Sequence, residues 1–171
     1  KNTYVFFFSD NGPWSNWEER FIRSHGGQLA TGNTGPLRSA KGSPFEGGVR
    51  VPCVFWAPGK IPAGKVCDEM MSTLDILPTM ARLAGGKVPD DRIMDGYDQS
   101  DLLLGKTEEG AREIFHYHVK GELQAVRKGK WKLVLPNPVL GYRYVKDPPR
   151  DKPELYNLET DISEQYDVAA E

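Results

Sequence analysis

The chain has 171 residues, 39% hydrophobic and 27% charged, with a formal net charge of −2. That length suits one domain or two small ones. The near-neutral balance excludes a global field for nucleic acid or an acidic membrane surface, and no apolar run is long enough to span a bilayer. The 18 glycines and 13 prolines exceed an average share of roughly 12%, which predicts many turns around an adequate apolar core. Two cysteines define neither a disulfide framework nor a zinc site.

The first element is Thr3-Tyr4-Val5-Phe6-Phe7-Phe8. It is an apolar run of strand length with no polar face, and it reads as a central strand buried on both sides. It stops at Ser9-Asp10-Asn11-Gly12-Pro13, a set of turn-formers. This places a carboxylate and a carboxamide at a strand's C-terminal tip, the edge where open α/β sheets bind ligands. Two adjacent hard oxygen donors there suit a divalent cation such as calcium, with magnesium a poorer fit. Taken alone, the same residues also read as a simple turn cap. Few strand candidates lie nearby, so the chain is expected to be the C-terminal part of a longer protein.

A short helix from Asn16 is predicted next, with Trp14, Trp17 and Phe21 at helical spacing as a packing stripe. The glycine-rich stretch from Gly26 to Gly35 is a loop, and long loops at a functional edge are more often binding loops than filler. His25 in this loop is a candidate substrate contact, set against a role as a loop hydrogen-bonder. Lys41 follows, flanked by small residues that would let an anion approach its ammonium. In Glu46-Gly47-Gly48-Val49-Arg50 the glycines predict close backbone approach or positive φ, and Glu46 and Arg50 are expected to pair and hold the loop. Cys53, in Val51 to Trp56, belongs to what reads as a second buried strand, and Cys67 to a polar connector.

From Leu74 to Ala84 the apolar residues Leu74, Leu77, Met80, Ala81 and Ala84 fall on one helical face. Ser72 or Thr73 is the expected N-cap and Gly85 the C′ glycine. Pro78 is tolerated only if the helix begins near Asp75. Further on, Ile114 to Val119, Leu123 to Arg127 and Trp131 to Leu135 read as short antiparallel strands, with a hairpin at Lys128-Gly129-Lys130. Trp131, Leu133 and Leu135 alternate with Lys132 and Val134, as in a sheet with one face covered. Glu154 to Asn157 could add an edge strand, and Asp161-Ile162-Ser163-Glu164 resembles the capping-box start of a terminal helix. His116 and His118 share a strand face, with no third metal ligand evident.

The ordered blocks Ser9-Asp10-Asn11-Gly12-Pro13, Gly35-Pro36-Leu37-Arg38, Lys41-Gly42 and Phe45-Glu46-Gly47-Gly48-Val49-Arg50 resemble the second half of the arylsulfatase family. Ser72 to Gly85, Ala125 to Leu133 and Glu154 to Asp161 resemble that family's later segments. The resemblance implies an α/β fold: the C-terminal part of a mixed sheet flanked by helices over residues 1–108, then a small α+β subdomain with an antiparallel sheet over 109–171. It implies hydrolysis of a sulfate ester by a formylglycine nucleophile. Asp10 and Asn11 would be calcium ligands, and Lys41 the sulfate-binding cation that aids the leaving group. Neither cysteine sits in the nucleophile motif, so that residue is expected in a missing N-terminal part, the partner without which this chain is inactive. Phosphodiester or phosphonate hydrolysis, or a catalytically dead binding module, are the alternatives. Relatives are mostly periplasmic, secreted or lysosomal.

Overall fold

The computed structural model describes residues 2–14, 32–119, 121–136 and 149–170. The chain divides into two compact units, Lys1–Phe8 with Cys53–Glu113 and Ser9–Pro52 with Ile114–Glu171. The fold is mixed α/β, and its sheets are antiparallel.

In the first unit, β1 (Val5–Phe8) pairs antiparallel with β2 (Cys53–Trp56), with Val5 opposite Trp56 and Phe8 opposite Cys53. Phe6 meets Phe55 edge to face at 4.3 Å between ring centres. β1 is not buried on both sides as its composition predicts. A two-stranded ribbon has two faces, and here Val5, Phe7, Val54 and Trp56 make one of them exposed, Phe7 at 73%. Cys53 is exposed as well, against the expectation of a buried thiol.

A 3₁₀ turn, Thr73–Asp75, leads into α2 (Ile76–Leu83). Ser72 caps it in a capping box: its hydroxyl accepts from the Leu74 amide, and its own amide donates to Asp75 Oδ2 at 2.9 Å. Pro78 therefore lies in the first turn, where its missing N–H costs nothing. Gly85 takes φ +77°, a conformation that closes the helix end and disfavours any residue with a Cβ. The helix forms where expected, but its buried side differs. Leu74, Leu77 and Met80 are exposed, whereas Asp75, Pro78 and Thr79 are buried. A polar hub fixes that rotation. Asp75 accepts from Arg112, from the Tyr97 amide at 2.8 Å and from Gln99 Nε2 at 3.4 Å, while Thr79 Oγ1 accepts from the Gln99 amide at 3.0 Å. The one-turn helix α3 (Ser100–Leu103) follows that hub.

The second unit centres on a four-stranded sheet in the order β3 (Ile114–Val119), β4 (Glu122–Lys128), β5 (Trp131–Val134), β6 (Glu154–Asn157). Gly129, at φ +54°, turns the β4–β5 hairpin. Phe45, Tyr117, Ala125, Val134, Tyr156 and Leu158 form the core, and Phe45 comes from the segment leading into α1 (Glu46–Val49). The covered face of β5 carries Lys132 and Val134, and Trp131 and Leu133 are partly exposed. The expected terminal helix is absent among the described residues. Asp161 Oδ2 instead accepts from the amides of Gln165 and Tyr166, both at 2.8 Å, and Glu164 sits at φ +52°, which no helix continues through.

Candidate active site

β1 ends two residues before Asp10. Ser9 Oγ donates to the Asn11 carbonyl at 3.0 Å, a local turn of the kind such residues favour. Asp10 is exposed, Asn11 half-buried and Gly12 buried. Lys41 occupies a corner of its own: Ser43 N donates to Ala40 O at 3.1 Å, and Gly42 follows at φ +90°, the pattern of a type II turn. Ser39, two residues earlier, holds φ +64°, a strained value for a residue with a Cβ.

Backbone hydrogen bonds stitch the Asp10–Trp14 segment to the Lys41 loop. Lys41 N donates to Pro13 O at 3.1 Å, and Gly12 N donates to Gly48 O at 2.9 Å. A third, Gly47 N to Arg38 O at 2.8 Å, closes the loop on itself. These contacts explain the glycines. A Cβ on Gly12 would lie 1.9 Å from Gly47 O, and one on Gly47 would lie 2.3 Å from Ser39 O. Of the two readings of Glu46-Gly47-Gly48-Val49-Arg50, close backbone approach is the one observed. The Lys41 ammonium stands 5.0 Å from the centre of the Trp14 ring, within cation–π range. Trp14 read from sequence as part of a packing stripe, and no spacing rule signals a partner 27 positions away. His25, Trp17 and the predicted helix from Asn16 lie outside the described residues.

Beside this loop the charges are buried. Glu46 pairs with Arg50 at 2.6 Å, as expected from their spacing, and with Lys132 at 2.9 Å. Burial pushes the Glu46 carboxyl up, but the Lys132 ammonium and the Arg50 guanidinium outweigh it and hold it below the usual range. For Glu164 the balance is opposite. Burial dominates, the nearby Glu46 charge adds to it, and Lys132 does not compensate, so the carboxyl is raised. Burial and the Glu154 hydrogen bond push the Tyr156 hydroxyl to about 12, even with Arg38 beside it.

No three His, Cys, Asp or Glu side chains gather as a metal site among the described residues, and His116 and His118 are exposed. Asp10 and Asn11 offer two adjacent oxygen donors, which fits the chemistry of a hard cation but supplies only part of the six to eight ligands calcium takes. No helix among the described residues is long and apolar enough to cross a membrane.

The Sulfatase family model matches residues 1–86, half of the chain. Arylsulfatase G of Canis lupus familiaris is 33% identical over 185 residues, an alignment covering 96% of this chain and 32% of that protein. Arylsulfatase A of Bos taurus is 44% identical over 135 residues, covering 76% and 24% respectively. The crystal structure of the PsFucS1 sulfatase from Pseudoalteromonas sp. superposes with a TM-score of 0.78 at 27% identity, covering 96% of this chain and 32% of that one. The chain thus spans about a quarter to a third of the length of these relatives. With the Asp-Asn-Gly-Pro turn bonded to a lysine loop and this likeness along almost its whole length, the chain belongs to the sulfatase family.

Proposed function

We propose that the protein to which this chain contributes hydrolyses sulfate esters of aryl or carbohydrate alcohols to the alcohol and inorganic sulfate. The observation that carries this reading is the pair of backbone hydrogen bonds, Lys41 N to Pro13 O and Gly12 N to Gly48 O, that ties the two motifs together. Asp10 and Asn11 are the residues that would hold a calcium ion, with further ligands from the rest of the protein. Such an ion supplies Lewis-acid polarisation of the sulfate oxygens. Lys41 offers its ammonium to the sulfate and to the leaving oxygen, a fixed positive charge where negative charge develops. His25 is a second candidate substrate contact. The formylglycine nucleophile belongs to the N-terminal part, and this chain alone is inactive.

The same N-terminal part is proposed to cover the apolar face of Val5, Phe7, Val54 and Trp56, whose exposure supports an intramolecular neighbour. A periplasmic, secreted or lysosomal location accompanies the reading. The test is turnover of an aryl sulfate and the matching aryl phosphate by the full-length protein. Sulfate turnover is expected, with Lys41→Ala lowering kcat by about 10²–10³, the range for losing one such charge-stabilising donor. Preference for the phosphate would move the protein to phosphoryl transfer. Turnover of neither would make it a binding module.

A further inference from the structure

Lys132 is completely buried, and its ammonium bridges two buried carboxylates, Glu46 Oε1 at 2.9 Å and Glu164 Oε1 at 2.9 Å. It also lies 4.7 Å from the centre of the Tyr117 ring. An ammonium on a core-facing strand position is expensive to desolvate, and it is retained only where its partners are fixed. Both partners are fixed here by the Lys41 loop. Glu164 Oε2 accepts from the Glu46 amide at 2.6 Å, and the Glu164 carbonyl accepts from Arg38 at 2.9 Å. The start and the end of the loop therefore meet on one residue of the C-terminal segment. Arg38 is further held by Tyr156 Oη at 2.8 Å and lies over the Phe45 ring at 3.8 Å. From α1, which Glu46 opens, the Gly48 carbonyl reaches the Gly12 amide, next to Asn11.

We propose that Lys132 and Glu164 are positioning residues for the site: the buried Lys132–Glu46–Glu164 bridge sets where the Lys41 loop and the Asp10–Gly12 turn lie relative to each other. This rests on the functional reading above for its kinetic consequence, not for its geometric one. The C-terminal sheet is thereby part of the catalytic apparatus, although none of its residues is assigned a contact with substrate.

The test uses the full-length protein with Lys132→Met and Glu164→Gln. Each is assayed with an aryl sulfate at a temperature where it is fully folded, and each is followed by amide hydrogen exchange. For both, kcat per folded molecule is expected to fall by about tenfold or more, since a displacement on the order of 1 Å at a reacting centre costs about that or more. KM should change much less. The amides of Gly12, Lys41 and Gly47 should exchange about tenfold faster or more, while those of Ala84 and Gly85 in the other unit keep their protection. Lys132→Met strands two carboxylates; if it does not fold, Glu164→Gln, which keeps an acceptor for the Glu46 amide, decides. Unchanged kcat with wild-type protection of the three loop amides overturns the proposal. Failure of the wild type to turn over the sulfate overturns the functional reading instead, and the exchange of those amides still decides the positioning role.

Discussion

In the unit containing Cys53–Glu113, one buried carboxylate, Asp75, faces one guanidinium, Arg112; in the unit containing Ile114–Glu171, two buried carboxylates share one ammonium, Lys132. The first arrangement closes its charge locally. Asp75 also accepts from the amides of Ser72 and Tyr97 and from Gln99 Nε2, so the pair caps a helix and orders a connector. The second leaves a surplus negative charge, which Arg50 at 2.6 Å and Arg127 at 3.9 Å reduce by approaching Glu46. Those cations come from separate segments, so balancing the cluster binds distant parts of the chain together. A matched pair serves the framework, and an unmatched cluster recruits a loop.

The strongest challenge to that contrast is Arg112→Met. It leaves Asp75 buried without its partner and is expected to destabilise by about 3–5 kcal/mol. Chemical denaturation should register the loss, and amide exchange should confine it to the first unit, with Gly12, Lys41 and Gly47 unaffected. Equal loosening of both units would show that the Asp75 pair is not local. Of similar size is Phe7→Ala in the full-length protein, about 3–5 kcal/mol if its exposed face is covered there. A cost under about 0.5 kcal/mol, the norm for a surface change, would leave that face open.

Gly12→Ala is a milder probe. The added methyl would lie 1.9 Å from Gly47 O, and backbone has to shift to admit it. A cost of about 1–3 kcal/mol is expected, with faster exchange at Lys41 and no change at Gly85. The smallest effect is in acid. Asp75 has a folded pKa below its ordinary 3.8 despite burial, because Arg112 and the Tyr97 and Ser72 amides hold the carboxylate. Its contribution is present above pH 3.8 and is lost as pH falls through the lowered value. Glu46 behaves likewise below 4.5, but Glu164, raised by burial, contributes stability below 4.5 that is lost as pH rises through its folded value. The second unit should therefore lose stability less steeply than the first as pH falls from about 5. Urea titrations at several pH values, read separately from each unit, check this.

Much of the architecture was legible. The Ser72 cap, the Gly85 terminus and the Gly129 hairpin are local signals realised by local hydrogen bonding, and the Glu154–Asn157 edge strand, also legible, pairs with the distant Trp131–Val134. Burial was less legible. The run Val5–Phe8 has the composition of a doubly covered strand, but composition does not say whether the covering residues are present. For α2 the apolar stripe suggested an inward face, whereas the Asp75 and Thr79 hydrogen bonds turned the polar side in. Asp161 did act as an acceptor for later amides, and Glu164 at positive φ stopped the helix. Of the site, the motifs were visible and their junction was not. Lys132 shares the covered β5 face with Val134, but the alternation alone does not say which face is covered, and nothing in the spacing ties Lys132 to Glu46, 86 positions earlier.

The tight seam among Gly12, Gly47 and Gly48 has a consequence for engineering. Added side-chain carbons at these three positions would meet carbonyl oxygens at 1.9 to 2.3 Å. A saturation library at these positions is thus expected to favour the parental glycine at all three. Substitutions meant to vary this segment are better placed at Asn33 and Pro36, where the chain is open to solvent.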